Sequence, residues 1–452
     1  MKNYRVWALL LTLVIPAQAG ETPPPAFQNL RYEDGPASRE AALVYTPLNF
    51  AEGASLSLGG QLRVRGEDWH NFAFAPANDD EVLLSRVRLH SDLRVGPRVR
   101  VYVEGISALA SERDLPGGRR PLDEDELDLL NAFADLSADL GAAALTLRAG
   151  RQELSYGRQR LISPLDWANS RRTFDGARLL ARAGEWRVDA FAARLVQVQQ
   201  HAFNDGDSGR DLYGVYATRP VAPWKATVDT YALGLRRDAA TFGAVAGQEE
   251  RATLGARLGG KAEPGFDFDL EGGYQFGEVG PADVAAWFVA SQFGYARPGC
   301  PLKSRWFLGY DYASGDDDPA DQDVGTFNQL FPLGHAYLGG IDMVGRQNVS
   351  DLSAGVSFVP VAKLTLRLEA HQFARAEKTD ALYDAGGNVV RAGDAGTSRD
   401  IGQEVDVVAD YQLRPQLGLQ AGYSHFFAGR FITQSGADED IDFAYASAQY
   451  TF

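Results

Sequence analysis

From Ser55 onward the chain is written in segments of about 9–15 residues in which apolar and polar side chains take turns, the period-2 signature of a β-strand with two different faces. Leu364-Thr-Leu-Arg-Leu-Glu-Ala-His371 shows it most cleanly. Leu364, Leu366, Leu368 and Ala370 fall on one face, and Thr365, Arg367, Glu369 and His371 on the other. Strands of a soluble sandwich alternate too, but they usually run about 5–6 residues. Longer strands suit a tilted crossing of a bilayer.

The pattern predicts eighteen strands, the first over 55–70 and the last over 441–452. An even number lets both ends of the barrel lie on the periplasmic side. Tight connections at Gly96-Pro97, Gly141, Gly184-Glu185, Glu263-Pro264-Gly265 and Arg414-Pro415 alternate with long acidic ones at 110–127, 154–173, 199–209, 316–348 and 378–400. Short inner turns and long outer loops are the habit of outer-membrane barrels, and so is a closing strand that ends on an aromatic such as Phe452. No stretch approaches about 18 consecutive apolar residues, so no helix is expected to span. The fold class that follows is all-β: a transmembrane antiparallel barrel of about 18 strands, sited in the bacterial outer membrane.

Three regions are expected. Residues 1–19 read as a signal peptide, with Lys2 and Arg5, an apolar run from Trp7 to Ile15, and Ala17-Gln-Ala19 as cleavage site. Residues 20–54 are rich in proline and charge, and read as a periplasmic lead-in or a segment folded into the lumen. Residues 55–452 are the barrel. The 44 Lys and Arg against 60 Asp and Glu leave a net charge of -16, which argues against nucleic acid as a partner. One cysteine, Cys300, excludes an internal disulfide and reads as a structural thiol in a turn. No cofactor motif occurs, so no cofactor is expected, and the barrel is expected to be a monomer.

Strand phase assigns the faces. Leu56, Leu58, Leu62 and Val64 would face lipid, placing Gln61, Arg63, Arg65 and Glu67 in the lumen. The next strands put Arg86, Arg88, His90 and Asp92, then Arg98, Arg100, Tyr102 and Glu104, inward. Arg148, Arg178, Arg182, Arg187, Arg257 and Arg367 follow the same rule. A charge on the lipid face at mid-depth costs roughly 2–4 kcal/mol, so the inverse phase is strongly disfavoured. Inward acids gather late, at Asp311, Glu369, Glu404, Asp406 and Asp410. A wall rich in arginine reads as an anion path, because guanidinium groups pair with carboxylates. The plainer alternative is that these arginines pair with interior acids and stiffen the wall.

Arg148-Ala-Gly-Arg151-Gln-Glu153, followed by Gly157, Arg160-Leu161, Trp167, Arg172 and Phe174-Asp175, resembles the alginate-export family of outer-membrane proteins. Gly402-Gln-Glu404-Val-Asp406 matches that family's late strand, and Asn29-Leu-Arg-Tyr-Glu33 looks like the opening of its broad branch. The resemblance implies an eighteen-stranded barrel with an electropositive constriction through which a linear anionic polysaccharide leaves the cell. Carried to matched positions, it puts Arg151 and Arg160 in an arginine-bearing segment after a lumen strand, Glu404 and Asp406 on a late strand, and the loop 154–173 folded inward; Arg172 is expected with them on the anion path. The expected function is outward passage of an alginate-like polyuronate; the alternative is a porin taking up small organic anions. Expected partners are the anionic solute, outer-membrane lipid and lipopolysaccharide, and periplasmic secretion proteins.

An enzyme is not expected. None of His70, His90, His201, His335, His371 and His425 stands in a Gly-x-Ser-x-Gly setting or at metal-ligand spacing. Ser424 and His425 point to opposite faces. Asp316, Asp318 and Asp321 form a weak candidate for Ca²⁺ without the spacing of an EF-hand; a solvated outer loop is the plainer reading. Trp69, Trp186, Trp224, Trp287 and Trp306 read as an interfacial belt, and Trp167 as a ring for sugar stacking or for packing.

Overall fold

The computed structural model describes residues 27–452 except 223, 224, 263 and 322, so the signal peptide expected over 1–19 lies outside the described residues, as does Trp224. Eighteen long strands form the wall. The first six are β1 (Ala54–His70), β2 (Asp80–Val95), β3 (Val99–Ala110), β4 (Asp125–Leu140), β5 (Ala143–Gln152) and β6 (Phe174–Ala183). Then come β7 (Trp186–Gln197), β8 (Asp205–Val221), β9 (Ala226–Phe242), β10 (Val245–Ala262), β11 (Phe266–Val279) and β12 (Ala282–Ala296). The last are β13 (Arg305–Ala313), β14 (Val349–Val361), β15 (Leu364–Arg375), β16 (Asp400–Arg414), β17 (Leu417–Ala428) and β18 (Ile441–Thr451).

Each strand is antiparallel to the next, and β18 returns to β1 with Gln61 opposite Thr451 and His70 opposite Asp442. Phe452 finishes the seam, exchanging backbone hydrogen bonds of 2.7 and 3.0 Å with Gly60. Closure pairs the wall's backbone groups within the sheet, which is what lets strands cross lipid. No helix among the described residues is long and apolar enough to cross a membrane.

The alternation sorts the faces as expected. Along β2, Arg86, Arg88, His90 and Asp92 are buried while Leu83, Val87 and Leu89 are exposed outward. Trp186, Trp287 and Trp306 lie exposed among the described outer aromatics. Trp69 departs from the belt expectation. It shares the parity of Arg63, Arg65 and Glu67 on β1, points inward at 6 % exposure and stacks on Phe443 at 3.8 Å. Strand parity outranks residue type here.

The interior is packed. The connection 153–173 between β5 and β6 and the connection 314–348 between β13 and β14 both fold into the barrel. Leu154 and Ile162 of the first, with Phe327, Phe331, Ile341 and Met343 of the second, join wall rings Phe174, Phe288, Phe373 and Phe426 in one core. The two insertions are tied to each other. Ile162 bridges Phe331, Ser163 N donates to Phe331 O at 2.9 Å, and Phe331 N donates to Leu161 O at 2.8 Å. The stretch 316–348 was expected outside. Asp316 is buried, 317–321 and Asp323 are exposed, and Val324 onward is mostly buried, because this half is apolar and the lumen is the nearest place to bury it.

Upstream of the barrel, Tyr32 is buried edge-on against Tyr102 and Phe133, and its hydroxyl donates to Glu153 O at 2.8 Å. Arg31 donates to Gly60 O at 2.8 Å and to Phe452 O at 3.1 Å, joining this segment to the closing seam. Val44–Leu48 then pairs antiparallel with the start of β1, from Leu58 to Ala54.

Candidate functional site

Carbonyls at the tip of an inserted loop have no strand to pair with, and an unpaired buried carbonyl is costly. Wall arginines meet that need. Arg63 donates to Asp166 O at 2.8 Å and to Ala168 O at 2.9 Å. Arg86 donates to Ala168 O at 3.1 Å and to the Asp166 carboxylate at 2.8 Å. Arg65 donates to Trp167 O at 2.7 Å, pairs with Glu67 at 2.7 Å, and its guanidinium lies 3.9 Å from the Trp167 ring centre. The fixed fork of a guanidinium suits such multiple acceptance. Three predicted lumen arginines thus clamp residues 166–168. Asp166 also meets Arg171; although burial pushes its carboxyl up, Arg171, Arg86 and Arg63 hold it well below the usual carboxylate range. Trp167 stacks on His335 at 3.7 Å, so its ring is already engaged by protein groups.

A buried relay runs from the wall to the same loop. Arg88 pairs with Glu104 at 2.9 Å, both without solvent exposure. Asn131 donates to Glu104 at 2.8 Å and to Glu153 at 3.0 Å, and Glu153 accepts from Arg171 at 2.5 Å. The remaining predicted arginines divide by partner. Arg100 pairs with Asp92 and Arg148 with Asp135, each at 2.7 Å. Arg151 meets Asp128 and Asp175, both at 2.8 Å. Arg160 meets Asp269 at 2.6 Å and Glu271 at 2.9 Å, and Arg367 meets Asp410 at 3.0 Å. Arg172 has carbonyl partners, Ser163 O and Pro332 O at 3.3 Å; burial and then nearby Arg210 lower its guanidinium to about 10.

The late acids hold the second insertion. Glu404 accepts from Ile341 N at 2.9 Å, and Asp406 accepts from Gly340 N at 3.3 Å and from the Ser424 hydroxyl. Gly339 has φ +84, and a Cβ there would come within 2.4 Å of the Glu404 carboxylate, so only glycine lets the loop lie this close. In the aspartate-rich start, the Asp316, Asp318 and Asp321 side chains accept from backbone N–H groups two residues on. No group able to hold a metal ion gathers among the described residues.

Space remains beside these clamps. A cavity of about 720 Å³ at the short-turn end is lined by Arg94, Arg98, Arg100, Arg148, Arg178, Arg182 and Arg187, with Glu33, Asp34, Asp135 and Asp189 as its carboxylates. A second, of about 550 Å³, carries Arg63, Arg65 and Lys363 against Asp166 and Asp410. A third, of about 210 Å³ near the loop end, carries Arg172, Arg210 and Arg237 and no carboxylate. Neither Arg210 nor Arg237 stands out in the sequence. Arg237 lies at the outer end of β9, where a register shift against β10 blurs the alternation.

A closed lipid-facing barrel with a cationic, loop-narrowed interior defines an outer-membrane channel. The chain belongs to the alginate-export family, whose model matches residues 54–445. The fold is shared with solved Pseudomonas aeruginosa proteins. OccK3 (OpdO) is 14 % identical, with 87 % of this chain and 95 % of that one covered at TM-score 0.56. OpdK is 11 % identical, with 89 % and 100 % covered at TM-score 0.59. OccK2 (OpdF) is 13 % identical, with 90 % and 99 % covered at TM-score 0.58. No curated protein matches the sequence significantly. Family and closed barrel together place the protein in the bacterial outer membrane, as a transporter and not an enzyme.

Proposed function

We propose that this barrel passes a linear anionic polysaccharide of the polyuronate class outward across the membrane. One observation carries the anionic part: each of the three cavities described above is lined by more basic groups than carboxylates. Repeated weak cationic sites let a chain of carboxylates step from one to the next, since conduction needs binding that is favourable but easily left. In this reading the path is made by Arg172, Arg210 and Arg237 at the loop end, the last two also meeting Asp207 and Glu249, and by Arg63, Arg65 and Lys363 beside the clamped segment. Arg88, Arg100, Arg148, Arg151, Arg160 and Arg367 set the field around it while paired. The barrel works as a monomer, fed by periplasmic secretion proteins and set in lipid and lipopolysaccharide. Residues 30–34 serve as a lumen segment, and Val44–Leu48 as a lead-in strand on the periplasmic side.

A reversal potential in a KCl gradient tests the charge: anion preference is expected, and cation preference refutes the proposal. Uptake of small organic anions is the second reading, and the loop-end cavity of about 210 Å³ favours it, being sized for a small carboxylate. Liposome swelling separates the two. Ready passage of small neutral sugars would count against a selective exporter.

A further inference from the structure

The two ends of the barrel differ in charge. By the barrel rule the end with short turns and both chain ends faces the periplasm. The opposite end carries exposed acids: Glu112, Asp114 and Glu126 stand out of the connection after β3 and the start of β4, where Asp123, Glu124, Asp125 and Asp128 are buried, and Asp438, Glu439 and Asp440 crowd the last loop. At the short-turn end the balance reverses. In the cavity of about 720 Å³, Arg94, Arg100, Arg148 and Arg178 each meet a wall aspartate. Arg98, Arg182 and Arg187 line the same cavity, and no carboxylate lies within ion-pair distance of them among the described residues. Arg182 stands directly opposite Arg187 in the β6–β7 register. Like charges at opposed positions destabilise a sheet, and here no acid offsets them. Three water-accessible guanidinium groups gathered in one concave mouth attract an anion from solution. The chain's own Glu33 and Asp34 also line this cavity, but Asp34 is held by Arg31 at 2.9 Å, which leaves the three arginines open to a carboxylate from outside.

We infer that this mouth is an anion-intake site, in which Arg98, Arg182 and Arg187 capture carboxylate groups of a linear solute on the periplasmic side before it reaches the clamped loops. The inference rests on the anion passage proposed above and adds an intake site to it.

The test is side-dependent block of single channels of the full chain, oriented in a planar bilayer, with tetragalacturonate as the probe. Block is expected at least about tenfold more often with the probe on the short-turn side than on the loop side. The triple variant R98S/R182S/R187S should erase that asymmetry, and R98K/R182K/R187K should keep it. Retained heat-modifiable gel mobility shows that each variant is a folded barrel. Equal block from both sides, or an asymmetry that survives the serine variant, overturns the intake site. The reversal potential, read on the same channels, reports separately on the proposed function. Anion selectivity with side-independent block overturns the intake site alone, and cation selectivity overturns both.

Discussion

Replacing Arg63 and Arg86 together by alanine should loosen the constriction before it changes selectivity. The two side chains make four hydrogen bonds at 2.8–3.1 Å to the carbonyls and carboxylate of residues 166–168. A hydrogen bond involving a charged group is worth roughly 1.5–3 kcal/mol net, and neighbouring bonds from one guanidinium are not additive. Counting about one such unit per arginine gives roughly 3–6 kcal/mol of lost anchoring. Arg65 and the Arg171–Glu153 pair still hold the loop, so release is partial. Since 1.4 kcal/mol is tenfold, the ratio of released to clamped loop should rise by about a hundredfold or more. Single-channel recording is the assay. The double variant should flicker to conductance levels above the parent's. A steady parental conductance with only a fall in anion preference would refute the clamp, and would mean that these arginines form a solvated wall.

Other perturbations follow from single residues. Asp316, in the aspartate-rich start of the second insertion, is raised to about 6 by burial and by nearby Asp380. Its folded value lies above the unfolded value of about 3.9, so its contribution is full below about pH 4 and is lost as pH rises through 6. Channel flicker should therefore increase from pH 5 to pH 7.5, and Asp316→Asn should flatten that rise. Gly339→Ala should cost upward of about 1 kcal/mol and displace the loop from Glu404, read as lowered denaturant resistance and altered conductance. Leu89→Arg, on the lipid face of β2, should cost roughly 2–4 kcal/mol in reversible unfolding from liposomes, while Leu89→Ile should cost little.

The wall was legible in the sequence because a strand's faces are a local property. Parity along Leu364–His371 or Arg86–Asp92 needs no knowledge of neighbours, and a charge in lipid is costly enough to fix which face is which. Even Trp69 was readable by that rule; the residue-type habit misled where parity with Arg63 and Arg65 did not. The motif Arg148–Glu153 and the pair Glu404 and Asp406 likewise stood out. Their occupation did not: Glu404 and Asp406 bind backbone of the second insertion, and Arg63, Arg65 and Arg86 bind that of the first.

Pairing splits the same way. Arg148 and Asp135 face each other across one hairpin, so their contact follows from register. Arg160 and Asp269, 109 residues apart, meet because a loop from one wall crosses a closed lumen to another. Alternation and burial cost set strand, face and membrane, since each is decided within about ten residues of chain. Which arginines hold loops and which stay open to a solute was decided only by closure, because an ion pair depends on what the fold brings within about 4 Å.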